Sequence, residues 1–270
     1  MSQLDQLSIV SYLAPNMFWF YTATAAYLNR VFGIKTQLVQ SELDPLLDPQ
    51  LLEDRLDLGF ICGLPFIRRD RTVPNQLIPL VAPVMQARRY QNRPIYFSDV
   101  IVNAQSHLKT FDDLAGTTLC FNDTGSNSGY NLLRHKLMQA QHPPNFFSKT
   151  IQSGSHQNSI QQVINRQADC AAIDSTVLEQ EIHNTPNLVN HLRVVESIGP
   201  CPMPPVVAAQ HLGTEFLQAV QSALLHPDTE LQAVMNKAQI QRFATVTSQD
   251  YHAIAQIYDR AIQAGYEIMS

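Results

Sequence analysis

Cysteine is scarce in this chain, and what there is does not cluster. Cys62, Cys120, Cys170 and Cys201 form no C-x-x-C pair and have no histidine at zinc-ligand spacing, so no metal site and no cofactor is expected. Three of the four sit in apolar or strand-like runs and read as buried thiols. Runs of like charge are missing as well, and the formal net charge is −5, so no nucleic-acid partner is expected. No apolar stretch is long enough to span a bilayer, and the N-terminus, Met-Ser-Gln-Leu-Asp-Gln, has no basic segment leading into an apolar one. Direct membrane insertion is therefore not expected. The expected compartment is the cytoplasm if the sequence is complete as given, and the periplasm if a signal peptide has been trimmed. Internal repeats, low-complexity tracts and long linkers are absent too.

What is present is length and alternation. A chain of 270 residues with 45% hydrophobic content can bury the core of one large domain or of two lobes. Residues 7–13 read as a strand. Pro15 and Asn16 open a helix whose apolar face includes Met17, Phe20, Tyr21, Leu28 and Val31, and Gly33 caps it. A second strand over 34–39, a short helix over 49–56 and a third strand over 58–62 complete a β-α-β-α-β series, which calls for a parallel sheet. Ligands in such sheets bind beyond the carboxyl ends of the strands, near Ser11, Tyr12, Asn16, Cys62, Gly63 and Leu64.

Extended runs over 77–85 and 95–103 follow, separated by the basic segment 86–93. A second alternation then has a short helix over 111–114 and strands over 117–121, 147–152 and 168–173. Its other helices are expected over 130–139, 156–166 and 175–181. Strands over 192–195 and 206–209 flank a proline-rich bend at 200–205, and the tail from Thr214 reads as helical, in segments near 215–225, 230–238 and 249–264. The fold class is therefore α/β with two lobes. The expected division is 1–95 plus 194–270 for one lobe and 96–193 for the other, with two chain crossings that permit hinge closure. The arginine clusters Arg68, Arg69, Arg71 and Arg88, Arg89, Arg93 read as solvated surface.

The stretch from Leu119 to Tyr130 organises the second half. A β-prone run ends at Phe121, a polar turn with Gly125 and Gly129 follows, and a helical pattern starts at Tyr130. Free N–H groups and the positive end of the dipole make a helix start receptive to an anion. Ser126, Asn127 and Ser128 add donors, and the glycines admit close approach. Taken alone, the stretch is equally an ordinary capped helix start. No Lys follows a glycine here, as a nucleotide P-loop requires, and Asn127 occupies the centre where a nucleophile elbow needs serine.

Two later positions repeat this strand-end setting: Ser153-Gly-Ser-His156 precedes a helix, and Asp174 follows a strand. Alone, His156 reads as a cap or surface residue and Asp174 as a helix N-cap; converging with the loop, both become site candidates. A carboxylate beside an anion is useful when the ligand brings a proton, which favours phosphate, phosphite or phosphonate over sulfate. Tyr96 and Tyr12 could close the sides; either can instead be core packing, which is the preferred reading for Tyr12.

Together these segments resemble the phosphate/phosphonate-type solute-binding proteins of ABC importers. Residues 121–130 are similar to that family's N-D-P-x-S-x-S-G loop, and residues 96–103 to its Y-x-S-x-x-I-V strand. Gly154-Ser-His156, the run from Ala168 to Asp174, Leu192-Arg-Val-Val and Pro204-Pro-Val-Val recur in the same order. Thr124 stands where the family often has Pro, and Asn127 where it often has Thr. The resemblance implies a type II periplasmic-binding-protein fold with the ligand cleft between the lobes. It implies a small oxyanion held by Tyr96, Ser126, Asn127, Ser128 and His156, with Asp174 as a further contact, and an ABC transporter permease as partner. Binding without catalysis is the reading adopted. The alternatives are a cofactor-biosynthesis enzyme on the same fold, using Ser128, His156 and Asp174 as a hydrolytic set, and a cytosolic sensor of the ligand.

Overall fold

Residues 5–266 and 269 are described by a computed structural model. It comprises two α/β units, Met1–Ile95 with Pro202–His252 and Tyr96–Cys201 with Ala253–Ser270. In the first unit, β1 (Gln6–Ser11) leads through a 3₁₀ turn at Pro15–Met17 into α1 (Phe18–Phe32). Gly33 ends that helix in the left-handed region at φ 66°, its N–H bonded to the Asn29 carbonyl. Phe20, Tyr21 and Leu28 are buried as expected, whereas Val31, in the last turn of the helix, is 47% exposed. β2 (Lys35–Gln40) and β3 (Leu58–Phe60) both pair parallel with β1. Between them lies α2 (Pro49–Leu52), capped by the Asp48 carboxylate accepting from the Gln50 N–H. Next comes α3 (Gly63–Thr72), a helix the sequence reading did not assign. Pro65 sits in its first turn, where a missing N–H costs nothing, and the arginines Arg68, Arg69 and Arg71 ride on it. β4 (Leu77–Met85) closes this part of the chain.

The second unit opens with β5 (Ile95–Asn103), followed by β6 (Thr118–Phe121), α4 (Leu132–Gln139), β7 (Lys149–Gln152) and α5 (His156–Ile164). β8 (Cys170–Asp174), α6 (Ser175–Asn184) and β9 (Leu192–Pro202) complete its sheet, in the order β7-β6-β8-β5-β9. The chain then returns to the first unit as β10 (Val206–Ala209), α7 (Thr214–Leu225), α8 (Thr229–Lys237) and β11 (Ile240–Thr245), giving the sheet order β11-β4-β10-β3-β1-β2. α9 (Ser248–Gln263) is the last helix among the described residues.

Beyond α3, the described structure departs from the sequence reading in three places. The proline-rich segment is strand through Pro202, which an edge position allows because proline's missing donor then faces no partner. Between the expected tail helices over 230–238 and 249–264 lies a strand the sequence reading did not assign, β11, which pairs antiparallel with β4. The expected boundaries also shift: residues 194–201 and 253–270 group with the second unit, so the chain crosses after Ile95, after Cys201 and after His252. Cys120, Cys170 and Cys201 are buried, as expected for three of the four thiols, and burial pushes the Cys170 thiol up to about 12.

Candidate functional site

The second sheet gathers the candidate residues on one edge. β6 pairs parallel with both β7 and β8, so the ends Phe121, Gln152 and Asp174 point the same way. β5 runs antiparallel to β8 with Ser98 opposite Asp174, which brings the start of β5, and Tyr96 with it, to that edge. Ser153 N–H and Gly154 N–H then bond to the carbonyls of Phe121 and Asn122 at 2.8 and 3.0 Å, locking the two strand-end loops together.

The loop after β6 enters its helix through a π turn, Asn127–Asn131. The Asn131 N–H reaches back five residues to the Ser126 carbonyl at 3.0 Å. A turn of that width delays the first intrahelical bond by one residue relative to an α-helix, so one more leading N–H lacks a helical acceptor. Ser126 is the N-cap, its Oγ accepting from the Gly129 N–H at 3.0 Å. The capped-start reading and the anion-site reading are thus compatible. Gly129 is required by close approach and not by backbone sign: a Cβ there would overlap Asn122 Oδ1. Ser126, Asn127, Ser128, His156 and Asp174 are all at least nine-tenths buried, and Tyr96 is 1% exposed.

Polar contacts join them in pairs. Asn127 Nδ2 donates to Tyr96 Oη at 2.7 Å. Ser128 Oγ and His156 Nε2 lie 3.1 Å apart, and the Ser128 carbonyl accepts from Ser98 Oγ at 2.7 Å. Burial lowers the His156 pKa to about 4, so the imidazole is neutral near pH 7. A neutral imidazole has one N–H and serine has one O–H. Their mutual bond uses one of these hydrogens whichever tautomer is present, and the other is available to an acceptor. His156 Nδ1 is buried with no hydrogen-bond partner among the described residues.

Asp174 caps α6, its Oδ1 accepting from Thr176 N–H at 2.8 Å and from Thr176 Oγ1 at 2.7 Å. Burial raises its pKa to about 6, against the lowering effect of the Thr176 bonds. The hydrolytic set is not assembled: Ser128 meets His156, but the bond from His156 Nδ1 to Asp174 that a triad requires is not made. Tyr12 belongs to the first unit, beyond the end of β1, where its N–H bonds to the Phe60 carbonyl at 2.9 Å. Its hydroxyl is buried, and burial together with the Asp48 charge raises its pKa.

Sequence reading missed Ser98, Asn131 and Arg134 as parts of this arrangement. Asn131 Nδ2 donates to Asn127 Oδ1 at 2.9 Å, and Arg134 donates to Asn131 Oδ1 at 3.0 Å. The spacing of four and three residues along a helical pattern was the available signal. Among the described residues, no cluster of three or more His, Cys, Asp or Glu side chains could hold a metal ion. Nor, among them, is any helix long and apolar enough to cross a membrane.

Two mixed sheets flanked by helices, with polar residues collected at strand ends, define a type II periplasmic-binding-protein fold. Solved structures share it at low sequence identity. The binding protein component of an ABC phosphonate transporter from Pseudomonas aeruginosa superposes with a TM-score of 0.82 at 16% identity, covering 97% of this chain and 89% of that one. PhnD1 from Prochlorococcus marinus, in complex with methylphosphonate, gives 0.83 at 18% identity, covering 97% and 100%. The alkanesulfonate-binding protein SsuA from Xanthomonas axonopodis pv. citri, bound to MOPS, gives 0.68 at 18% identity, covering 100% and 97%. A search of curated protein sequences gave no significant match. The family model described as ABC transporter, phosphonate, periplasmic substrate-binding protein matches residues 9–251. The chain belongs to that family of solute-binding proteins.

Proposed function

We propose that this protein binds a small phosphorus oxyanion (a phosphonate, phosphite or phosphate) in the periplasm and presents it to the permease of an ABC importer, without catalysing a reaction. The ligand's oxygens would be held by Ser126, Asn127, Ser128, Tyr96 and His156, with Asp174 accepting the ligand's proton. The observation that carries this reading is the buried Ser128–His156 pair, which keeps one hydrogen to donate in either tautomer. Neutral donors suit reversible capture, since they bind an anion without offering a nucleophile. Family membership and the methylphosphonate in PhnD1 support the choice of ligand class.

A thermal-shift panel at fixed pH and ionic strength tests this with phosphate, phosphite, methylphosphonate, 2-aminoethylphosphonate, sulfate and an alkanesulfonate. A ligand at a hundredfold excess over Kd adds about 2.7 kcal/mol to the native state, which raises Tm by roughly 5–10 °C for a chain of this size. A shift with one phosphorus oxyanion and none with sulfate or the sulfonate is expected. Ser126→Ala combined with Ser128→Ala should then weaken binding by several kcal/mol, since each charge-assisted hydrogen bond contributes about 1.5–3 kcal/mol. Unchanged affinity in that double variant would remove the loop from the site.

A further inference from the structure

A chain of hydrogen bonds runs from a buried cation to the loop. Arg134, on α4, is 2% exposed. Its guanidinium lies 5.1 Å from the centre of the Tyr130 ring and 5.2 Å from that of Tyr258, and it donates to the Tyr266 carbonyl at 3.4 Å. The last part of α9 and the residues after it therefore hold the guanidinium in place. From it the chain continues through Asn131 and Asn127 to Tyr96, with separations of 3.0, 2.9 and 2.7 Å.

The direction of every bond in this chain is set at one end. A guanidinium has donors only, so the Asn131 atom facing Arg134 must be the carbonyl oxygen. The Asn131 amide nitrogen then faces Asn127 and can only donate, which fixes Asn127 Oδ1 as the acceptor. Asn127 Nδ2 in turn faces Tyr96, whose oxygen accepts. In that bond the phenol uses a lone pair, and its own hydrogen is directed away from Asn127.

We propose that Arg134 and Asn131 are positioning residues that polarise this relay, so that Tyr96 presents its O–H as a donor to the bound oxyanion. The inference rests on the functional reading above. It adds to that reading how a tyrosine and an asparagine with reversible hydrogen-bond roles are committed to a single arrangement. Without the arginine, both amides could turn over, and Tyr96 would then spend its hydrogen on Asn127. An anion would meet an oxygen lone pair instead of a donor.

Asn131→Asp tests the relay with almost no change of shape. The carboxylate still accepts from Arg134, and the pair can hold the fold, but it cannot donate to Asn127. Asn127 is then free to reverse and accept from Tyr96. Binding of methylphosphonate would be measured by calorimetry for the wild type, Asn131→Asp, Tyr96→Phe and the double variant, with Tm recorded for each. The expected result is a loss of about tenfold or more for each single variant, corresponding to at least one hydrogen bond of about 1.5 kcal/mol. The double variant should bind like Tyr96→Phe alone, with Tm held within a few degrees of wild type throughout. Affinity in Asn131→Asp within about twofold of wild type would overturn the relay. So would losses that multiply in the double variant, since the new charge would then be acting through space and not through Tyr96. A ligand-free readout keeps the two readings apart. The side-chain amide resonances of Asn127 should shift in Asn131→Asp, and an unchanged position counts against the relay even if no oxyanion binds. Absence of binding by the wild type to any phosphorus oxyanion would instead remove the functional reading.

Discussion

Asp174 is the residue at which stability and the proposed binding role pull apart. Burial raises its carboxyl from 3.8 to about 6 in the folded chain, so the native state holds this proton more tightly than the unfolded state does. The stabilisation that follows is fully present below the unfolded pKa and is lost as pH rises through about 6. At about 1.4 kcal/mol per pH unit, the loss is on the order of 3 kcal/mol by neutral pH. Asparagine keeps a cap oxygen for Thr176 and removes the charge. Asp174→Asn should therefore be more stable than wild type by about 1–3 kcal/mol near pH 7.5, with the difference vanishing below about pH 4. Urea denaturation at the two pH values measures it, and an equal difference at both would show that the carboxyl does not titrate differently on folding. The cap role of Asp174 was legible in the sequence from its place between a strand and a helix. Its burial was not, because the strand opposite it becomes known only when the sheet is assembled.

Elements with a strong local pattern were legible: the strands at 77–85 and 95–103 and the helices after β7 and β8 lie close to where periodicity put them. Those that depend on a distant partner were not. β11 is a short run whose burial alternates imperfectly, and it is a strand because β4 offers it an edge. Another tertiary tie, invisible to pattern, joins the start of β3 to the end of β10. His211, on the 3₁₀ turn after β10, places Nδ1 at 3.2 Å from Asp54 and Nε2 at 2.9 Å from Asp57. Asp57 also accepts from the Ser8 N–H of β1 at 2.7 Å. Both ring nitrogens can donate at once only in the imidazolium. Partial burial lowers the His211 pKa, and the Asp57 and Asp54 bonds outweigh it, so the net direction is upward. The stabilisation is thus fully present below the ordinary histidine pKa of about 6.5 and is lost as pH rises through the folded value. His211→Ala should cost about 0.2–1 kcal/mol near pH 5.5, a figure kept small by solvent screening, and close to nothing near pH 8.5. Denaturation midpoints at the two pH values check this, and a pH-independent cost would show that the imidazole acts through packing alone.

At the scale of the whole chain, two α/β units were legible from the repeated strand–helix alternation. The place where α9 changes allegiance was not, since a helical stripe looks the same whichever core it covers. Charge, by contrast, is a property the sequence states outright, and it makes a prediction about the proposed ligand. The formal net charge is −5, so the average field of the molecule opposes the approach of an anion. The direct donors proposed for it are hydroxyl, amide and neutral imidazole groups, and the Arg134 charge is bonded to Asn131 and the Tyr266 carbonyl. Added salt shortens the screening length from about 10 Å at 0.1 M to about 3 Å at 1 M and weakens both attraction and repulsion between exposed charges. A site built on exposed lysine or arginine would lose affinity steeply under that change. Here the Kd for methylphosphonate should move by less than about threefold between about 0.05 and 0.5 M potassium chloride, and the association rate should rise slightly as the repulsive field is screened. Calorimetry and stopped-flow mixing at constant pH measure the two quantities. A tenfold or greater weakening would require an exposed cationic side chain among the direct contacts, which none of the residues proposed to touch the ligand supplies.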